Sequence, residues 1–498
     1  MDKMQEGEFM NRRSFIRLGA ASFAAAAGSA KSLIGGTRVE RLRFGVVSDV
    51  HIASASDTCA LWEKALRFYS ASSVDAVLVA GDISDNGLLS ELKKAGDVWR
   101  RVFPNNRRRD GGLVEKVFVT GNHDIDGWRY GAAKKKGITA EKDGANIIDK
   151  RVAECWREAF DEDYAPMYLK EIKGYHFVGT HYVKDNGYLK DGAIAEFLNN
   201  HRQKLEGGKP FFYVQHYHPK GTCSAPWVWG QDDGFSTAAL SSFPNAVAFS
   251  GHSHTPLTDE RTLWRGAFTS IGTASLRYLI PFGGRENSHV FGESANGGQQ
   301  MPSLKGREAQ HGQLVTVYDD YIVIERRDFT NGKPVAPDWI VPIPSCASSF
   351  EERGRNAKIP EFEAGAKVDI KRVTGKNRAN KSTDQFVVSF PNVRSNPKGV
   401  HAFDFRVVVE VEDVDSFKVW ATKRVYSPHF YWAGEKDDPI VTCVFSCQEL
   451  PRANRVPTVR GRRFRFAVAP ANCFGGHGAE IHSAWITGNF GERSRQIR

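Results

Sequence analysis

The chain has 498 residues, 41% of them hydrophobic and 25% charged, an ordinary globular balance that needs no disulfide framework and allows about two to four domains. Its seven cysteines (Cys59, Cys155, Cys223, Cys346, Cys443, Cys447 and Cys473) are scattered and form no C-x-x-C pair, which argues against a cysteine zinc site. The net charge of +10 suits anionic partners such as phosphorylated substrates, nucleic acid or a membrane surface, although charge also serves solubility alone.

At the start of the chain, NRRSFIR at 11–17 is followed by the weakly apolar LGAASFAAAAGSA. Paired Arg12 and Arg13 ahead of an Ala-rich run with small residues at its end have the layout of a leader for the twin-arginine export route. Residues 1–30 are expected to be this leader, with cleavage near Ala30, and either Met1 or Met10 as the start. No later apolar run is long enough to span a bilayer, so a soluble periplasmic or extracellular protein is expected.

Apolar runs then alternate with helical patterns. LRFGVVSDV at 42–50 precedes a helical stretch at 58–72; AVLVAGDI at 76–83 precedes another at 88–103; EKVFVTGNHD follows at 115–124. Further strands are expected near 175–182, 210–216, 245–251, 266–273 and 313–326, the last a hairpin with Asp319 and Asp320 at its turn. This alternation implies an α/β core with parallel strands. Residues 283–312 are Gly-rich and aperiodic, the pattern of a functional or unstructured loop. Composition changes near 342: a linker is expected at 343–362, and strand-like runs without helices at 363–498 predict an all-β sandwich domain. The first domain accordingly spans 40–342. In the β domain Cys443 and Cys447 share a strand face, too far apart to bridge at ~3.3 Å per residue.

Five motifs stand in order at predicted strand ends: Asp49-Val50-His51, Gly81-Asp82-Ile83-Ser84-Asp85, Gly121-Asn122-His123-Asp124, His216, and Gly251-His252-Ser253-His254. Singly, each has an ordinary structural reading as a polar strand end or turn. Together they deliver carboxylates, imidazoles and an amide to the edge where open α/β sheets form sites. Such a cluster is costly without bound cations. The mixed ligand set suits Mn, Fe, Zn or Ni, and one carboxylate can bridge two such ions, which clamp a phosphoryl group and activate water.

In these motifs, across residues 42–330, the sequence resembles the calcineurin-like metallophosphoesterases. The resemblance implies a β-sandwich core flanked by helices (αββα) and two transition-metal ions. By it Asp49, His51, Asp82 and His254 hold one metal; Asp82 bridges to a second, completed by Asn122, His216 and His252. His123 is implied as the acid or phosphate-contacting group and Asp85 as the residue that orients it. His218 is an alternative to His216, which follows its strand directly. Asn86 stands where protein phosphatases of this class carry a phosphate-binding Arg, and GDISD lacks the Tyr ligand of purple acid phosphatases.

The implied activity is hydrolysis of phosphate mono- or diesters on a small-molecule or surface substrate, after passage through the twin-arginine machinery. Two other readings compete: a surface glycan- or peptide-binding protein on a degenerate scaffold, and a nuclease, which only the charge supports. Trp227 and Trp229, after His216, are candidates to stack on a base or sugar or simply to pack beneath their loop. Arg107-Arg108-Arg109 reads as an exposed charged turn more readily than as an anion site.

Overall fold

A computed structural model describes residues 39–53, 57–183, 192–223, 230–280, 309–343, 350–376, 382–393, 401–413, 416–427, 439–446 and 463–487. The leader, Trp227, Trp229, Cys346, Cys447 and residues 283–308 lie outside these.

Strands β1 (Leu42–Val47), β2 (Ala76–Ala80) and β3 (Glu115–Val119) are parallel neighbours, and helices α1 (Thr58–Ala71) and α2 (Leu89–Val102) connect them. The chain then builds a second sheet from β4 (Met167–Ile172), β5 (Tyr175–Thr180), β6 (Phe211–Val214), β7 (Ala246–Ser250), β8 (Leu263–Arg265) and β9 (Thr269–Gly272), in the order β4-β5-β6-β7-β9-β8. It returns to the first sheet with β10 (His311–Val317), antiparallel to β1, then β11 (Tyr321–Asp328), β12 (Lys333–Pro334) and β13 (Trp339–Pro342). Tyr318 N donates to Tyr321 O at 2.9 Å, which closes the β10–β11 hairpin with Asp319 and Asp320 at its turn.

The two sheets pack face to face. Leu42, Phe44 and Val46 of β1 meet Phe177, Phe212 and Phe249 of the second sheet in one buried cluster. On the outer face of the first sheet, Trp62, Trp99 and Trp156 from helices cover Val47, Val77 and Phe118. On the outer face of the second, Ile194, Leu198 and Leu240 cover Val178, Tyr213 and Ala248. The layers are therefore αββα, and with both strand faces covered the sequence shows continuous apolar runs instead of alternation.

The strands end earlier than their apolar runs: β1 stops at Val47, because Asp49 and His51 adopt left-handed backbone (φ 51° and 48°) that a strand cannot hold. Strands β4, β8 and β13 were not expected from the sequence. MYLKEI carries Lys and Glu, and β8 has only three residues, so neither gives a periodic signal.

Beyond the catalytic sandwich lie β14 (Asp369–Lys376), β15 (Ser382–Pro391), β16 (Asp404–Glu412), β17 (Phe417–Tyr426), β18 (Ile440–Ser446), β19 (Arg463–Ala471), β20 (Ile481–His482) and β21 (Ile486–Thr487). They form antiparallel sheets ordered β14-β15-β18 and β17-β16-β19-β20, with β21 beside β19. Phe386, Val388 and Phe390 of one sheet pack on Phe405, Val407 and Phe466 of the other. The expected linker contains a short helix, Phe350–Arg355, whose Arg353 donates to Glu260 O at 3.0 Å and so ties it to the catalytic sandwich. Arg261, fully buried and paired with Asp259 at 2.6 Å, stacks over Phe403 at 5.1 Å and joins the two sandwiches into one unit. Among the described residues no helix is long and apolar enough to cross a membrane.

The Phe44 ring lies 4.8, 5.3 and 5.9 Å from those of Phe212, Phe177 and Phe249, so it bridges the inner faces. Phe44→Ala should cost about 3–5 kcal/mol, because this close-packed site cannot collapse around the gap. Urea unfolding followed by tryptophan fluorescence checks it; a midpoint equal to wild type would show that the sheets do not depend on this contact.

Candidate metal centre

The five motifs meet at one edge of the sandwich. Asp49 and His51 follow β1, Asp82 and Asp85 follow β2, and Asn122 and His123 open a short helix after β3. His216 follows β6, and His252 and His254 follow β7. Asp49, His51, Asp82, Asn122, His216, His252 and His254 are all buried, none more than 8% exposed.

The backbone is bent to bring them there. Asp49, His51, Asp82, His252 and His254 all have positive φ, between 48° and 67°. For β-carbon residues this is a sparsely populated region, costing on the order of 1–3 kcal/mol each, and it concentrates at functional sites. The motif glycines allow close packing between motifs: a Cβ on Gly121 would lie 2.2 Å from Asp82 Oδ1, and one on Gly251 2.6 Å from Asp49 Oδ2. Buried Asp124, whose part the sequence reading missed, clasps two motifs together. It accepts hydrogen bonds from Gly121 N (2.8 Å), Ser84 N (2.7 Å) and Ser84 Oγ (2.8 Å). Burial, with the charge of Asp82, lifts its pKa to about 6. The only sequence signal for this clasp was its place as the fourth residue of GNHD.

Backbone carbonyls decide which imidazole nitrogens carry protons. His216 Nδ1 lies 2.8 Å from Ala80 O and His254 Nδ1 2.9 Å from Tyr278 O. A carbonyl can only accept, so each Nδ1 is the N–H and each Nε2 presents a lone pair inward. The Asp85 carboxylate, 3.2 Å from His51 Nδ1, favours the same tautomer there.

Two groups of lone pairs result. His216 Nε2 lies 3.0 Å from Asn122 Oδ1, 3.1 Å from His252 Nδ1 and 3.1 Å from Asp82 Oδ2. Asp49 Oδ1 lies 3.0 Å from His254 Nε2 and 3.9 Å from His51 Nε2, and the two Nε2 atoms are 3.5 Å apart. Asp82 Oδ2 is also 3.8 Å from His51 Nε2, so one carboxylate oxygen touches both groups. No donor among the described residues serves Asp49 Oδ1. Acceptors crowded this closely repel one another, and a cation at the centre of each group removes the repulsion; the residues fit metal ions. The electrostatics show a demand for positive charge at the cluster: burial lowers the His216 pKa, yet the Asp82 carboxylate outweighs it and raises it to about 9, so without a cation a proton would occupy Nε2. Burial would raise Asp49, yet His254 draws it down to about 2.

His123 stands beside these groups. Its N–H donates to Asp82 Oδ1 at 2.8 Å, and its ring Nδ1 meets the backbone O of Asp85 at 2.7 Å. The Asp85 carboxylate is 4.0 Å from His123 Nδ1 and closer to His51, so it is the main chain of Asp85 that meets His123. Lys136 Nζ holds the other carboxylate oxygen of Asp85 at 2.9 Å. Asn86 is buried and faces away from the cluster: its Nδ2 donates to Glu91 Oε1 at 2.6 Å, and its Oδ1 accepts from Lys136 at 3.1 Å. His218 is enclosed by Ser250 Oγ (2.7 Å) and Ser253 Oγ (2.6 Å) and lies outside both groups. In the basic run, Arg107 donates to Gly111 O at 2.7 Å and Arg108 pairs with Asp110 at 3.0 Å, as turn-forming residues do.

Residues 42–256 match the family model described as calcineurin-like phosphoesterase. Among solved structures, a dimetal phosphatase from Danio rerio is similar at 13% identity, over 61% of this chain and 99% of its own, with a TM-score of 0.37. A purple acid phosphatase from yellow lupin (Lupinus luteus) seeds is similar at 13% identity, over 60% of this chain and 53% of its own, with a TM-score of 0.40. No curated protein matches the chain. Residues 42–256, the segment that carries all five motifs, thus form a domain of the calcineurin-like phosphoesterase type.

Proposed function

We propose that the protein is an exported two-metal phosphoesterase acting on phosphate mono- or diesters. The observation that carries this reading is the single oxygen, Asp82 Oδ2, 3.1 Å from His216 Nε2 and 3.8 Å from His51 Nε2, shared by two sets of inward lone pairs. Asp49, His51, Asp82 and His254 form one ligand set; Asp82, Asn122, His216 and His252 form the other. Two transition-metal ions bound there supply charge for a phosphoryl group and lower the pKa of water. The Arg12-Arg13 pair and the Ala-rich run behind it support export by the twin-arginine route to the periplasm or beyond.

The protein's own groups then have separate tasks. His123, partly exposed at the edge of the cluster, keeps Nδ1 on the Asp85 carbonyl and turns Nε2 to the leaving oxygen. From there it holds or donates a proton as the phosphorus–oxygen bond breaks. Asp85 orients His51 through its carboxylate and His123 through its main chain, so Asp85→Asn acts on the metal set as well as on turnover.

Three substitutions test the assignment. His216→Ala and Asp82→Asn should each lose at least one of two ions by elemental analysis. His218→Asn should retain both ions and lose about 1–3 kcal/mol of stability, since it leaves buried serine hydroxyls short of a partner. Two ions in His216→Ala with fewer in His218→Asn would reverse the ligand assignment.

For His123→Ala, both metals should stay and turnover should fall by about 10²–10⁴ on an alkyl phosphate. The loss should be smaller on a nitrophenyl ester, whose leaving oxygen needs little protonation. Equal slowing on both esters would exclude the acid role and leave His123 as a stabiliser of charge.

A further inference from the structure

We propose that Tyr130 is a positioning residue that sets which end of the Asn122 amide faces the metal; this rests on the two-metal reading above. Asn122 is a ligand only if its oxygen points inward. Its Oδ1 lies 3.0 Å from His216 Nε2, and its Nδ2 donates to Tyr130 Oη at 2.8 Å. Turned over, the same amide would present N–H groups to the ring of acceptors and supply no ligand atom. The phenol oxygen gives Nδ2 an acceptor on the side away from the cluster, and the amide is thereby held in the ligating sense. Carboxylate ligands need no such help, because their two oxygens are equivalent; Asn122 is the one amide among the assigned ligands.

The chain delivers Tyr130 by a close backbone approach. After the helix Asn122–Asp126, the turn Gly127–Arg129 crosses the 85–86 loop, where a Cβ on Gly127 would lie 2.9 Å from both Asp85 O and Asn86 C. Tyr130 N donates to Gly127 O at 3.1 Å, which fixes the start of the side chain, and the buried Ala133 anchors the following helix Gly131–Lys135. The Tyr130 ring also stands edge-on to His123, with centroids 4.9 Å apart. Replacement by Phe therefore keeps the wall beside His123 and removes only the acceptor.

The test is metal titration of the full chain, stripped of metal and then given Zn or Mn, by calorimetry with elemental analysis alongside. Tyr130→Phe should weaken one of two binding steps by about 10–100-fold, the range for loss of an outer partner of a ligand. The other step should be unchanged, and excess metal should restore turnover. Gly127→Ala, which shifts Tyr130 without altering its chemistry, should weaken the same step. In an Asn122→Asp background, where no amide needs orienting, Tyr130→Phe should have little effect on either step, a coupling that general loosening would not produce. Wild-type affinity at both steps in Tyr130→Phe, or an equal loss whether Tyr130→Phe is made in the wild-type chain or in Asn122→Asp, would overturn the inference alone. A wild-type chain that binds fewer than two ions would overturn the two-metal reading and this inference with it.

Discussion

The constraint on which the site depends is repulsion between acceptor atoms. Asp82 Oδ2, Asn122 Oδ1 and His252 Nδ1 crowd within hydrogen-bonding distance of His216 Nε2, and the carboxylate and amide oxygens face its lone pair. Left to itself such a cluster would turn its side chains outward or take up protons. It is prevented from turning by partners outside it: Ala80 O and Tyr278 O on the imidazoles, Tyr130 Oη on the amide, and His123 N on the second oxygen of Asp82. These partners are mostly main-chain atoms of strand ends and turns, so the orientation of the ligands follows from the fold itself. Outer contacts of this kind tune both the tautomer and the basicity of a ligand.

Holding the cluster in place strains the backbone, and the sandwich provides the rigidity to bear it. Five motif residues occupy the left-handed region, each shortly after a strand whose residues are buried on both faces. A strand fixed by sheet neighbours and by helices outside cannot relax to relieve a strained residue at its tip. Asp124 adds a second restraint by drawing the Gly121 turn onto the Ser84 turn through four hydrogen bonds. The same logic reaches the second sandwich. Asp259 and Arg261 lie just beyond His254 in the chain, and their buried pair stacks on Phe403, while Glu260 accepts from Arg353 of the connecting helix at 3.1 Å and from Trp339 at 2.7 Å. Breaking a buried pair of this kind costs on the order of 3–5 kcal/mol, because the remaining charge has no solvent. The C-terminal sandwich is thus packed against the segment that follows the last ligand motif.

The competing functional readings separate on the same grounds. A degenerate scaffold would have no reason to keep seven buried polar side chains in mutually repulsive positions. The nuclease reading rested on charge, and Arg107 and Arg108 of the run that contributes to it are engaged in their own turn, with Arg108 paired to Asp110 and beside Asp75.

By itself the sequence determined the alternation of strands and helices, the hairpin around Asp319 and Asp320, the sandwich beyond residue 360 and the order of five polar motifs at strand ends. These are properties of local runs: apolar periodicity, turn residues, and the junction of an apolar run with a polar tip. What only the tertiary structure decided depends on atoms far apart in the chain. His216 and His218 are two residues apart after the same strand, and the sequence favoured the first only by its nearness to that strand. Their difference is that one faces Ala80 O and Asn122, and the other sits between Ser250 and Ser253. Asp85 reads as the partner of His123, yet its carboxylate lies nearer His51, with Lys136 on its other oxygen, and it is its main chain that meets His123. Tyr130 and Asp124 carry no pattern of their own, since hydrogen bonds to an amide or a turn leave no period in a sequence. The edge strands β4 and β8 were invisible for a related reason: one is half solvated and the other three residues long, so their pairing is imposed by the sheet they join.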